Sequence, residues 1–443
     1  MKTSKQDETK SMTIRPSLPD LVIHRILTQL LPTKAAVRMS FLSKQWEGVW
    51  SLNPVLDFDE SAKVHDDDIV FDKLVDQHKN FINILLRYLE FCEKGETTQV
   101  LDRFRLHMTR YLDSDFSIVD KWLDFAYERS VKEVDLSLEI GWHKLPKRLE
   151  DIYCISPRSF FLAKSLTTLN LESVRLQNTY SAELGHARVI LPCLKNMSLK
   201  GVYLDSQALN GLILGCPSIE CLSLTSCRCF GDWKIISFSS SSLKSLKVTH
   251  CDARSIGVYE VVNLEHFTIL SELRLENVTL ERSVNLKCVI IHARSLEQFS
   301  LFASHDSVEA TINAPGLLDF RFTCFLKSKL YLKDPTLQTC VIHLQDNYNG
   351  KSHNFPALRD FLEVFDGTDN LIIYINDFKV ITFPERFRET YLSPLPRINR
   401  LQVRMPDTPT EEKDISDLDD SLTWVVQSKC FDWRNQIPFY LKA

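Results

Sequence analysis

The chain has 443 residues, of which 44% are hydrophobic and 25% are charged, and its formal net charge is −5 at neutral pH. This composition argues against an intrinsically disordered chain and leaves room for two or three globular domains. The net negative charge gives no sign of a basic, nucleic-acid-binding surface, and 12 glycines are too few for glycine-rich nucleotide loops or long flexible linkers. We therefore expect no nucleic-acid partner.

The cysteines and the polar start of the chain indicate a reducing compartment. The 12 cysteines are scattered without a paired framework, and the opening MKTSKQDETK lacks the apolar run of a signal peptide. No window contains the roughly 18 consecutive apolar residues that a membrane span requires. We expect an intracellular protein of the nucleus or cytoplasm, with free thiols and no membrane partner.

The first predicted elements are three short helices. Residues 1–16 read as a disordered tail, and Ser17-Leu-Pro-Asp20 offers a cap-like opening to a helix that Pro32 ends. Thr33 and Ser43 can cap the second and third helices. A helical unit of this size is marginal alone, because chains below about 40 residues usually need a metal, disulfides or a partner to fold. Its apolar residues point in more directions than one small core can use, so a partner or the rest of the chain must cover them.

Residues 55–99 are predicted to form an acidic connector followed by a helix. The stretches Asp57-Phe-Asp-Glu60 and Asp66-Asp-Asp68 supply the acidic residues of the connector. The apolar residues that follow predict a helix from Phe81 to Phe91.

From residue 100 to residue 405 the pattern L-x-x-L-x-L recurs. Between Leu166 and Leu317 the copies are 28, 25, 24, 27, 26 and 21 residues apart, inside or close to the range of ~20–29 residues for leucine-rich repeats. Each copy predicts a short strand, and the segments between them return the chain, one of them as a helix from Ala208 to Leu214. The copies are Leu101-Phe104-Leu106, Val131-Val134-Leu136, Leu166-Leu169-Leu171, Leu194-Met197-Leu199, Ile219-Leu222-Leu224, Leu243-Leu246-Val248, Leu270-Leu273-Leu275, Leu296-Phe299-Leu301, Leu317-Phe320-Phe322, Leu337-Cys340-Ile342 and Ile398-Leu401-Val403.

The predicted fold class is α/β. The N-terminal three-helix unit precedes a leucine-rich-repeat solenoid, whose curved parallel sheet carries helices or irregular segments on its outer face. The last segment, residues 406–443, is predicted to be helical and to cap the solenoid. Its acidic stretch from Glu411 to Asp420 precedes an apolar run, an arrangement that suits the positive end of a helix dipole.

The sequence contains no arrangement that indicates chemistry. Cys227 and Cys251 each follow the last apolar residue of a repeat by three positions, where the repeat pattern places a buried small polar residue, so we interpret them as structural rather than metal-binding. Gly350-Lys-Ser352 resembles the end of a phosphate loop, but Gln345 stands where that motif requires glycine. We expect no cofactor, no metal site, no catalytic residues and no enzymatic activity.

The N-terminal unit closely resembles the F-box of the large plant F-box/leucine-rich-repeat family. The resemblance continues through Trp122-Leu-Asp-Phe-Ala126 and Gly215-Cys-Pro217 and covers roughly residues 18 to 300. It assigns residues 17–54 to the F-box. The matching motifs are Leu18-Pro-Asp20, Ile26-Leu27, Leu31-Pro-Thr-Lys34, Ala36-Val-Arg38, Leu42-Ser-Lys44, and Trp46 with Trp50.

The resemblance implies a substrate-recognition subunit of a Skp–cullin–F-box ubiquitin ligase. In that family the F-box docks on a Skp adaptor, and through it on cullin and RING subunits, while the repeats hold a target protein for ubiquitination. The sequence does not identify the target, nor whether a small molecule assists its binding. The residues that match the apolar pattern of the box, and so would serve its core or the adaptor groove, are Leu18, Pro19, Ile26, Leu27, Leu31, Pro32, Val37, Leu42 and Trp46.

Two departures from the family pattern leave an alternative open. Thr28-Gln-Leu-Leu31 carries one residue more than the usual spacing, which adds about 100° of rotation if the helix absorbs it. Gln45 stands where the family usually has arginine. The first alternative is a repeat-based protein-binding scaffold that does not assemble into a ligase. A second is an enzyme built on a repeat scaffold.

Overall fold

The computed structural model describes the repeat region and its flanks. Predictions that fall on other residues, including almost all of residues 1–53 and the Gly350-Lys351-Ser352 turn, lie outside the described residues. The described residues are Pro19, Val22, Arg25 and Ile26, and the ranges 54–61, 71–94, 100–140, 149–155, 163–176, 191–204, 206–229, 234–302, 308–325, 328–333, 336–345, 354–406 and 409–427.

An eleven-stranded, all-parallel sheet, here called the long sheet, runs through most of this region. Each inner strand pairs with the corresponding strands of the turns before and after it, so the strands of the sheet follow one another in chain order. In the strand Cys221–Thr225, for example, Leu222 and Leu224 are buried while Ser223 between them lies on the opposite face. The strands are β1 (Val55–Asp59), β2 (Arg103–Met108), β3 (Glu133–Leu138), β4 (Thr168–Glu172), β6 (Asn196–Lys200), β8 (Cys221–Thr225), β11 (Ser245–Thr249), β13 (His266–Ser271), β15 (Cys288–Ala293), β17 (Glu309–Asn313) and β19 (Lys329–Lys333).

A second parallel sheet of eight strands, the short sheet, begins at Ile235. Each of its first five strands lies between two strands of the long sheet in the sequence, so the turns from β10 to β19 contribute one strand to each sheet. The strands are β10 (Ile235–Phe238), β12 (Ser255–Tyr259), β14 (Asn277–Glu281), β16 (Gln298–Phe302), β18 (Asp319–Phe325), β20 (Thr339–Gln345), β21 (Asn370–Ile375) and β22 (Arg400–Arg404).

The earlier turns carry shorter elements away from the long sheet. Three two-residue strands form a small parallel sheet: β5 (Arg175–Leu176), β7 (Tyr203–Leu204) and β9 (Arg228–Cys229). The predicted helix at 81–91 is confirmed within α1 (Phe71–Lys94), and the predicted helix at 208–214 is confirmed as α3 (Ser206–Leu214). The other helices are α2 (Phe116–Glu128), α4 (Phe355–Glu363), α5 (Glu385–Thr390) and α6 (Glu412–Val426), the last confirming the predicted C-terminal helix.

The α/β solenoid class is confirmed, but the assignment of the later repeats needs correction. The predicted copy Leu270-Leu273-Leu275 is wrong, because the chain leaves β13 at Ser271 and enters β14 at Asn277. The predicted copies that begin at Leu296, Leu317, Leu337 and Ile398 are real strands, but they belong to the short sheet and do not continue the long one.

The number of residues in each turn explains why the later turns return through a strand of the short sheet instead of a helix. The turn that runs from Met197 to its partner Leu222 is longer than the turn that runs from Leu246 to its partner Phe267. The longer turn accommodates the nine-residue helix α3, and the shorter turn returns through an extended strand, which covers more distance per residue. Both sheets bury the same alternating apolar pattern, so the pattern alone does not say which sheet a copy joins.

The predicted acidic connector contains the first strand of the long sheet. Val55–Asp59 pairs with Arg103–His107 of β2, and Leu56 and Phe58 are buried against the first repeats. Asp57 and Asp59, two of the acidic residues that suggested a solvated connector, occupy the other face of the same strand. One apolar cluster extends from Leu56 to Val426 across the described residues. Within the described chain, no helix is both long enough and apolar enough to cross a membrane.

Tight left-handed turns follow four consecutive strands of the long sheet. Ser173, Gly201, Ser226 and His250 have φ values of 57°, 59°, 52° and 51°. Each backbone N–H donates to a carbonyl oxygen at the end of the next strand, as from Gly201 to Thr225 at 2.8 Å. Only one of the four positions carries glycine, the residue to which this conformation costs nothing.

Candidate functional site

The predicted adaptor-docking residues are mostly outside the described residues. Pro19 is exposed, its carbonyl accepts a hydrogen bond from the Val22 N–H at 2.9 Å, and Ile26 is half-buried. Val22 is 42% exposed, although the helical pattern places it on the apolar face of the first predicted helix. The division of the docking set between a core and an adaptor groove therefore stays a prediction. The set members outside the described residues are Leu18, Leu27, Leu31, Pro32, Val37, Leu42 and Trp46.

The candidate site in the described region is the face of the long sheet that points away from the apolar core, here called the open face. It is formed by the first, third and fifth residues of each strand, whose partners in register form rows across the sheet. The central row runs Asp57, Arg105, Asp135, Asn170, Ser198, Ser223, Lys247, Thr268, Ile290, Thr311 and Tyr331.

The first strands of the open face carry charges that are paired with one another. The Arg105 guanidinium lies 3.2 Å from Asp57, 3.2 Å from Asp59 and 3.7 Å from Asp135, so three strands meet at one side chain. Partial burial opposes the charged form, but these carboxylates outweigh it and raise the pKa of Arg105. The charges here stabilise the sheet and are not available to a ligand without breaking existing pairs.

The middle strands of the open face carry short polar side chains. Asn170, Ser198 and Ser223 are successive partners in the central row. Beside them, Glu172 accepts a hydrogen bond from the Ser137 hydroxyl at 3.0 Å and lies 2.6 Å from the Lys200 ammonium group. This stretch is polar, and its short hydroxyl and amide side chains are suited to hydrogen bonds with a partner protein.

The last strands of the open face are more apolar and carry charges without partners among the described residues. Ile290 and Tyr331 lie in the central row, and Tyr331 is 55% exposed. Lys329 and Lys333 flank Tyr331, and no described carboxylate lies within 4.0 Å of either ammonium group. The two ends of the open face therefore differ. The charged side chains of the first strands pair with one another, whereas the lysines of the last strand can pair with acidic groups of another protein.

The cysteines at the repeat boundary have the structural role predicted for them. Cys227 and Cys251 are buried, with Sγ of Cys227 donating to the Leu199 carbonyl at 3.3 Å and Sγ of Cys251 to the Thr249 carbonyl at 3.5 Å. The hydrogen bond to Cys251 and burial together raise the pKa of the Cys227 thiol, which makes it inert. Within the described ranges, no group of three or more His, Cys, Asp or Glu side chains is placed to hold a metal ion.

The residues of the open face could have been predicted from the repeat pattern itself. In L-x-x-L-x-L the residue between the last two apolar positions must point away from the core, because strand side chains alternate. Those residues in β3, β4 and β6 are Asp135, Asn170 and Ser198. The ion pairs of Arg105 could not be predicted, because one partner strand lies far before it in the chain and the other lies far after it.

Comparison with known proteins gives consistent matches across the repeats. Residues 119–315 match the family model described as the leucine-rich repeats of FBD-associated F-box protein At5g56370. The chain is 32% identical over 233 residues to FBD-associated F-box protein At5g22730 of Arabidopsis thaliana, which covers 52% of this chain and 43% of that protein. It is 27% identical over 303 residues to putative F-box/LRR-repeat protein At3g18150 of the same plant, covering 68% of this chain and 54% of that protein.

A third relative extends the same relationship. F-box/FBD/LRR-repeat protein At5g22700 of Arabidopsis thaliana is 30% identical over 233 residues, covering 52% of this chain and 46% of that protein. The chain spans about half the length of the curated relatives it matches.

Proposed function

We propose that this chain, which these comparisons support as a member of the plant F-box/leucine-rich-repeat family, is the substrate-recognition subunit of a Skp–cullin–F-box ubiquitin ligase. Residues 17–54 would dock on the Skp adaptor, which links the chain to the cullin and RING subunits. The open face would hold a target protein for ubiquitination. The chain itself would catalyse no step and would act in the nucleus or cytoplasm.

The proposal is carried by one observation: the long sheet begins directly behind the predicted docking unit. The sequence predicts that this unit ends at residue 54, and β1 starts at Val55. Helix α1, the next described element, is fixed to the first repeats through His78, whose ring lies 2.9 Å from Glu60 and 2.9 Å from Asp115. A docking unit joined to a long, packed solenoid without an intervening linker would hold a target at a fixed distance and orientation. That is the contribution a non-catalytic subunit makes to rate, because proximity and orientation lower the entropic part of the barrier.

Co-purification of the full-length chain with a Skp adaptor tests the docking step. We expect the wild type to bind, and Trp46→Ala and Leu31→Ala to weaken binding by about tenfold or more, as truncation of a buried apolar anchor does at other interfaces. Leu392→Ala is a matched control, because Leu392 is 78% exposed on the last turns of the solenoid. If the wild type fails to bind where an ordinary F-box protein binds, the ligase proposal falls.

The extra residue ahead of Leu31 supports the alternative, a repeat-based scaffold that binds proteins without entering a ligase. Deletion of Leu30 restores the usual spacing and separates the two functions. If the deletion variant binds the adaptor and the wild type does not, the chain is a scaffold derived from an F-box protein. If both bind, the insertion is tolerated and capture of targets by the full chain during proteasome inhibition becomes the next step.

A further inference from the structure

Strand β19 is the last strand of the long sheet among the described residues, and one of its edges has no described partner strand. It pairs with β17, and no other described strand pairs with it. The Lys329 N–H donates to the Val308 carbonyl at 2.9 Å, so the backbone groups of residues 329, 331 and 333 face β17. Those of Leu330 and Leu332 face the other way. The following strands, β20 to β22, belong to the short sheet, so the long sheet is not continued among the described residues.

The side chains of β19 define what can bind at this edge. Lys329, Tyr331 and Lys333 are exposed on the open face, and Leu330 and Leu332 point towards the core. Leu330 is buried, but Leu332 is covered only in part, so the apolar layer is incomplete at this end of the sheet. Neither lysine has a described carboxylate partner, in contrast to Arg105, which has three at the other end.

We propose that the edge of β19 binds an extended acidic segment of another protein by strand addition. The bound segment would alternate acidic, apolar, polar, apolar and acidic residues. Its acidic side chains would lie beside Lys329 and Lys333, and its apolar side chains would extend the core next to Leu330 and Leu332. The sequence Lys-Leu-Tyr-Leu-Lys reads the same in both directions, so the segment can run parallel or antiparallel to β19.

The charges also argue against a second copy of this chain as the occupant. Two β19 strands paired edge to edge would place lysines opposite lysines, and lysine on an edge strand is a common means of preventing such pairing. An acidic strand reverses that repulsion. The proposal concerns a site separate from the predicted adaptor-docking residues and holds whether or not the chain enters a ligase.

A labelled synthetic peptide with the central sequence Glu-Val-Thr-Val-Glu tests the proposal on the full-length chain by fluorescence anisotropy. We expect saturable binding, and we expect a control of the same composition, Val-Glu-Thr-Glu-Val, to bind about tenfold more weakly because its acidic and apolar positions are exchanged. N-methylation of one alternate set of peptide amides should abolish binding, and N-methylation of the other set should leave it within about twofold. Equal effects of both methylation patterns would overturn strand addition without any change to the protein.

Charge reversal identifies the edge. The double variant Lys329→Glu/Lys333→Glu should lose about tenfold in affinity for the acidic peptide and gain affinity for Lys-Val-Thr-Val-Lys. Lys247→Glu, on β11 of the same open face, is the matched control and should change neither affinity. Unchanged binding of the acidic peptide to the double variant, with thermal unfolding like that of the wild type, overturns the proposal. A dimer that the peptide does not dissociate would show that a second copy occupies the edge, and would also overturn it.

Discussion

Nε2 of His78 lies 2.9 Å from Oδ2 of Asp115, and both side chains are buried. The other ring nitrogen lies 2.9 Å from Oε1 of Glu60, whose second oxygen accepts the backbone N–H of Thr109 at 2.8 Å. One imidazole therefore connects helix α1, the end of β1 and the turn before α2. This cluster ties the first turns of the solenoid together at the carboxyl end of β1.

Replacement of His78 by leucine should destabilise the protein strongly. The substitution leaves Glu60 and Asp115 buried without their shared partner, and removal of one member of a buried ionic cluster typically costs about 3–5 kcal/mol of unfolding free energy. Urea unfolding followed by circular dichroism measures the change. Lys132→Ala is the control, because its 2.7 Å pair with Asp102 is about half exposed and should contribute less than about 1 kcal/mol. Equal losses in the two variants would contradict this account of the cluster.

The same cluster should make stability depend on pH in a defined direction. Burial opposes the charged imidazole, but the hydrogen bonds to Asp115 and Glu60 outweigh it and raise the pKa of His78 from 6.5 to about 9. The stability that His78 contributes is therefore fully present below pH 6.5 and is lost as the pH rises through about 9. The pKa of Glu60 is lowered from 4.5, because its hydrogen bonds outweigh burial, so its contribution is lost on acidification below that value.

Unfolding free energies measured across this range test the assignment. We expect the contribution of the cluster to be greatest between about pH 4.5 and pH 6.5. We also expect the decline towards pH 9 to be smaller in His78→Gln, which has no proton to lose. A decline of the same size in His78→Gln would assign it to other groups.

The left-handed turns after the strands predict opposite effects of two small substitutions. Gly201→Ala should cost about 1–2 kcal/mol through backbone conformation, since a Cβ at Gly201 would lie no closer than 3.7 Å to its nearest neighbour, Ser173 Oγ. Ser226→Gly removes the steric strain of the same left-handed conformation in the next turn. It should raise the unfolding free energy by about 0.5 kcal/mol, after the greater entropy of glycine in the unfolded chain is subtracted. Thermal unfolding of the two variants measures both signs. A loss of stability in Ser226→Gly would show that the Ser226 side chain contributes more than its backbone strain costs.

Sequence patterns predicted the solenoid because burial imposes a strict alternation on every strand. Leu169, Leu171, Leu222 and Leu224 could be assigned to the core from spacing alone. The sequence pattern could not tell strands of the short sheet from strands of the long sheet. In a turn that contains one strand of each, both strands bury their second and fourth residues. The available signal was the length of the turn, which becomes shorter once the return segment is a strand instead of a helix.

The open face was less predictable because its chemistry depends on contacts between distant repeats. The sequence gives the identity of each outward residue, but the register of β1, β2 and β3 decides that Arg105 meets Asp57 and Asp135. The acidic residues around Asp57 suggested a connector, since an acidic stretch reads as solvated when its partner strand is unknown. The edge of β19 that has no described partner could not be predicted either, because it follows from the point at which the long sheet ends among the described residues.

The buried indole of Trp122 leads to a last prediction, on the packing of the first turns. Its ring stacks on the Phe104 ring with 5.8 Å between the ring centroids, and the Phe58 centroid lies 4.8 Å away. The indole Nε1–H has no hydrogen-bond partner among the described residues. Trp122→Ala should cost about 3–5 kcal/mol, because it removes the largest buried ring at this site and leaves a cavity. Trp122→Phe keeps an aromatic ring, although a smaller one, and removes the unsatisfied donor, whose burial costs about 1–3 kcal/mol. The packing lost and the burial cost removed should nearly cancel, so the net loss of unfolding free energy should be about 1 kcal/mol or less. Urea unfolding of both variants measures the losses, and a Trp122→Phe loss well above about 1 kcal/mol would show that the Nε1–H makes a hydrogen bond.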